Sequence, residues 1–90
     1  MKDSEKLSNL EEVVNQMGIM LRYEKGDFRG GFCRVGDKKM LIVNSALDLQ
    51  VKISLISHEL SKLDLSETYV VPAVRLLIEN CKDRQNQPEV

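Results

Sequence analysis

The residues of this 90-residue chain with the most evident capacity for chemistry lie together at Ser57-His58-Glu59-Leu60-Ser61-Lys62-Leu63, which holds the sole histidine. A helical His-Glu pair is the first half of a zinc-hydrolase motif. In the full motif a second histidine one turn later brings two ring nitrogens to one ion, and the glutamate polarises the bound water. Here that second position is Lys62, whose protonated ammonium has no lone pair to give a metal and repels it. A catalytic zinc needs three protein ligands, so His58 and Glu59 are vestigial metal candidates only. The expectation is no catalytic residue, no bound metal and no cofactor. Without an ion, His58 is expected to be wedged under a neighbouring helix and hydrogen-bonded to backbone. Glu59 is expected to be a solvated residue paired with Lys62 or Lys52. Ser57 and Ser61 make no serine hydrolase, because adjacent helix positions face apart and no acid completes a triad.

A second constellation lies between positions 22 and 39. Arg22, Lys25, Arg29, Arg34, Lys38 and Lys39 outnumber Glu24, Asp27 and Asp37. Arg22, Arg29, Arg34, Lys38 and Lys39 form a candidate binding surface, and Tyr23, Phe28 and Phe32 could stack bases. No nucleic-acid signature accompanies them, so cations that guard strand edges against aggregation are the preferred reading. Gly26, Gly30, Gly31 and Gly36 match no phosphate loop and read as turn glycines.

The elements that must position these residues follow from periodicity. Leu7, Leu10, Val13, Val14 and Met17 recur at helical spacing, predicting an amphipathic helix from Ser4 or Ser8 to Met17, capped by Gly18. Ile19, Leu21 and Tyr23 then alternate with Met20, Arg22 and Glu24 as in a half-buried strand. Gly26-Asp27 marks a turn, a second extended segment runs from Phe32 to Val35, and Gly36-Asp37 breaks it. The aliphatic run Met40 to Val43 predicts a central strand buried on both faces. Two short connections suggest hairpins, hence a three-stranded, mostly antiparallel sheet. From an N-cap at Asp48, a helix to about Leu63 carries Leu49, Ile53, Ile56, Leu60 and Leu63 in one stripe. Val51, Leu55, His58 and Lys62 fall on a second face, for which a C-terminal helix starting near Pro72 is the expected cover, with Val74, Leu77, Ile78 and Cys81 inward. The fold class is α+β in the order α-β-β-β-α-α, one domain over 1–82 with a disordered tail over 83–90.

Composition narrows the function classes. A chain this short supports one core, and 42% hydrophobic content without tryptophan makes that core aliphatic. A net charge of −1 with both signs interspersed creates no global field toward nucleic acid, membrane or an acidic partner. Cys33 and Cys81 belong to no C-x-x-C pair and read as reduced thiols. No apolar run approaches a membrane span and no signal peptide is evident, so a cytoplasmic location is expected.

Several runs together carry a resemblance. Met17-Gly18-Ile19, Arg22-Tyr23-Glu24, Gly30-Gly31-Phe32, Leu41-Ile42-Val43-Asn44 and Leu55-Ile56-Ser57-His58-Glu59-Leu60 resemble the core of ImmA/IrrE-type metallopeptidases, over roughly the middle half of the chain. The resemblance implies a short helix and small sheet ahead of the metal helix. It also implies a first zinc ligand at His58, a catalytic glutamate at Glu59, and a second ligand at the position of Lys62. No third ligand matches between Glu67 and Glu79. Tyr69 to Ile78 is similar to the ending of small bacterial proteins of this length, which brings no activity. The combined expectation is a degenerate, truncated metallopeptidase-like core, not an enzyme, that binds a protein partner or pairs as a homodimer. A residual zinc-dependent hydrolase and a weak nucleic-acid binder through 22–39 are the alternatives.

Overall fold

The computed structural model describes residues 1–85. The elements are α1 (Asp3–Gln16), β1 (Met20–Glu24), β2 (Gly30–Val35), β3 (Lys38–Asn44), α2 (Leu49–Leu60) and α3 (Pro72–Gln85). This is the α+β class and the element order that the periodicities predict. α3 continues through Gln85, three positions past the boundary expected at residue 82. The rest of the expected tail, 86–90, lies outside the described residues.

α1 ends where its apolar period ends. Gly18 adopts φ +75°, and the N–H of Ile19 donates to the Val14 carbonyl at 3.2 Å. A side chain at that left-handed position would be strained, so glycine lets the chain turn straight into β1. Asp48 stands at the N-cap of α2 in extended conformation without a side-chain cap bond. α2 stops at Leu60, short of the expected Leu63. Pro72 opens α3, where its missing N–H costs nothing.

The sheet is mixed, in the order β1-β3-β2, and this corrects the mostly antiparallel expectation. β2 and β3 form a hairpin through Gly36-Asp37, with Val35 opposite Lys38. β1 runs parallel to β3, Leu21 beside Leu41 and Tyr23 beside Val43. The physical reason is the 25–29 link, which rounds the end of β3 and makes no hairpin. Asn44 Nδ2 donates to the carbonyls of Gly26 at 2.9 Å and Phe28 at 2.7 Å. The Asn44 N–H donates to Arg29 and the Ser45 N–H to Glu24.

β3 is central as expected, but only one of its faces is covered. Leu41 and Val43 are fully buried beneath the helices, while Met40 and Ile42 on the outer face are half-buried. The core joins Leu10 and Val14 of α1, Leu41 and Val43, Ile56 and Leu60 of α2, and Val74 and Ile78 of α3. Burying each such side chain contributes roughly 1.5–3 kcal/mol. One polar link crosses this layer. Tyr23 Oη donates to Glu11 Oε2 at 2.5 Å, and Lys52 Nζ lies 5.4 Å from the centre of the Tyr23 ring. Burial, then the Glu11 carboxylate, pushes the Tyr23 phenol well above its ordinary range.

Candidate functional site

On α2, Ile53, Ile56 and Leu60 turn to the core, and the two flanks of that stripe have opposite fates. One flank, with Leu55 and Glu59, faces β2 and is buried; His58, Ser54 and Lys62 are exposed. His58 is exposed where a covered position between the two helices is expected, and Glu59 is covered where a solvated one is expected, its side chain being only 10% exposed.

The close approach of β2 explains why Glu59 is covered. Gly30 and Gly31 have φ of +136° and +152° and lie inside the strand, not at a turn. A Cβ on Gly30 would fall 2.3 Å from the Ile42 carbonyl oxygen and 2.9 Å from Leu55 Cδ2. A Cβ on Gly31 would lie 3.6 Å from Glu59 Oε1. Two glycines in a strand signal such an approach of backbone to a neighbour, which is the sequence feature that could have located this contact.

Lys62 Nζ donates to Glu59 Oε2 at 3.1 Å. The expected pairing within α2 therefore forms, and the ammonium stands against the glutamate from the position of the missing histidine. Arg29, Gly30, Ser54, Leu55, His58, Glu59 and Cys81 line a cavity of about 530 Å³ between β2 and the helices. Among the described residues no group of three His, Cys, Asp or Glu side chains is close enough together to hold a metal ion. Ser57 and Ser61 are buried, and Ser61 Oγ donates to the His58 carbonyl at 2.5 Å. Cys33 sits on β2 and Cys81 on α3, both half-buried and not joined to each other.

The five cations of the candidate binding surface do not share one face. Arg22 lies on the outer face and pairs with Glu24 at 2.9 Å. Lys38 closes the hairpin opposite Val35, Arg34 and Lys39 are direct cross-strand neighbours, and Arg29 stands at the entrance to β2. Arg34 and Lys39 border a second cavity of about 310 Å³ with Phe32, Cys33 and Leu63. Like charges directly opposite on a sheet repel. No described helix is long and apolar enough to cross a membrane.

The chain matches none of the protein-family models, curated proteins or solved structures with which it was compared.

Proposed function

We propose that this chain is a non-enzymatic binding module that engages a protein partner, or a second copy of itself, along the open edge of β2. The observation that carries this reading is the state of that strand. Among the described residues β2 has a strand neighbour on one side only, and three cavities border it, on the α2 side, at the hairpin end and against Phe28 and Ile42. A row of unpaired backbone groups beside grooves suits strand addition.

The absence of catalysis belongs to the same proposal and is supported by the Glu59–Lys62 pair, since a metal-activated water needs the carboxylate that Lys62 engages. Descent from an ImmA/IrrE-like core is part of the proposal too, resting on the runs that carry the resemblance. A cytoplasmic location fits two cysteines that form no disulfide with each other. The test is metal content after purification without chelators. The expected outcome is substoichiometric zinc, unchanged by His58→Ala. Near-stoichiometric zinc that His58→Ala removes would overturn the reading.

A further inference from the structure

The geometry points to a specific occupant for the β2 edge: a second copy of this chain, paired antiparallel about a two-fold axis at Phe32, with Arg34 of each copy entering the cavity of the other to meet Glu59. This inference rests on the binding-module reading and names its partner.

The register begins with the edge groups. Within the antiparallel ladder the Arg29 carbonyl accepts from Asn44, so odd-numbered β2 residues turn their backbone groups to β3. By alternation the N–H and C=O of Gly30, Phe32 and Arg34 point to the open side. A two-fold at Phe32 sets Phe32 opposite the partner's Phe32, and Gly30 opposite Arg34 of the partner subunit. All the outward groups are then used in both copies. A shift by one pair in either direction leaves some of them unmatched.

Side chains favour the same register. Arg34 is exposed and makes no ion pair among the described residues, and it stands opposite Lys39, so its own sheet offers only repulsion. Gly30 presents no side chain where Arg34 of the partner subunit would arrive, and the cavity beside Gly30 contains Glu59. Lys62 occupies Oε2 of that carboxylate. Oε1 accepts no hydrogen bond among the described residues and lies beside Gly31. Directly opposite residues lie about 5 Å apart, so Arg34 of the partner subunit arrives beside Gly30, at the mouth of the cavity that Glu59 also lines. Each copy thus completes the other's site, and the sheet continues as β1-β3-β2 into β2-β3-β1 of the second copy.

The experiment is sedimentation velocity across a concentration series with hydrogen exchange at the β2 amides, on the full chain and on Arg34→Glu, Glu59→Gln and Lys38→Glu. The wild type is expected to dimerise, with the Gly30, Phe32 and Arg34 amides protected as dimer forms. Arg34→Glu, which leaves an exposed site folded, is expected to raise the dissociation constant at least about 10-fold. Glu59→Gln weakens pairing in the same direction. Lys38→Glu makes the same charge change off the edge and is expected to shift the constant by less than about 3-fold. A wild-type monomer at all concentrations overturns the pairing, while the binding-module reading stands for a different partner. A dimer weakened equally by Arg34→Glu and Lys38→Glu, or one whose formation leaves those amides unprotected, overturns it too. Zinc bound through His58 would sink the functional reading and not the strand pairing.

Discussion

Lys62→Met isolates the consequence of a carboxylate that is nearly buried yet touches only one cation. The Glu59 side chain is 10% exposed, whereas that of Lys62 is 48% exposed, with 3.1 Å between Nζ and Oε2. Unit charges about 4 Å apart attract by about 4 kcal/mol in a surface-like dielectric and about 1 kcal/mol in water. A lysine half in water belongs near the lower figure, and lost side-chain freedom offsets part of it. Removing the ammonium also deprives a covered carboxylate of its partner, which adds about 1 kcal/mol. The sum is a destabilisation of about 1–2 kcal/mol. Urea unfolding followed by circular dichroism at pH 7 and fixed protein concentration measures it. Glu59→Gln removes the charge and keeps the shape, so Lys62→Met in that background is expected to cost less by about 1 kcal/mol. A single variant within about 0.3 kcal/mol of wild type, or strict additivity in the cycle, would refute the claim that the pair is coupled.

Two further outcomes follow from named contacts. Gly30→Ala places a Cβ against the backbone of β3 at φ +136°, and is expected to cost about 3 kcal/mol, lowering the thermal midpoint by more than about 10 °C; an unchanged midpoint would mean that Gly30 does not take this conformation against β3. Tyr23 has a phenol raised in the folded state, so its contribution to stability is full below the ordinary phenol range near about pH 10 and fades as pH rises beyond it. Tyr23→Phe is expected to cost about 1 kcal/mol at pH 7 and to show a smaller alkaline loss than wild type in urea unfolding at stepped pH, whereas parallel alkaline losses would exclude this role for Tyr23.

The helices and strands were legible because each carries one clear period. Leu10, Val13 and Val14 mark the buried face of α1, and Ile53, Ile56 and Leu60 that of α2. Direction was not legible. Alternation in Ile19, Leu21 and Tyr23 says which face is covered and nothing about whether the neighbouring strand runs with or against it; that depends on Asn44 holding the 25–29 link twenty residues on from β1. The site failed for a related reason. A helical projection separates His58 from Glu59 by about 100°, yet it cannot tell which flank meets the sheet. Gly30 and Gly31 hold that information, but a glycine pair fits a turn as readily as a close approach inside a strand. The Lys62 substitution was legible from spacing alone, because it needs only the helical repeat.

The lateral order β1-β3-β2 also governs how the chain can assemble in time. β1 ends at Glu24, and its only sheet partner among the described residues is β3, which ends at Asn44. At a synthesis rate of about 5–20 residues per second, a nascent β1 waits about 1–4 s for the strand it must join. The β2–β3 hairpin closes through two residues and can form locally within microseconds. The expected order is therefore hairpin first, with β1 and α1 docking onto it as the non-local, slower step. During that interval both sides of the hairpin are unpaired, which gives the cations of Lys38 and Lys39 a kinetic use as guards against premature association.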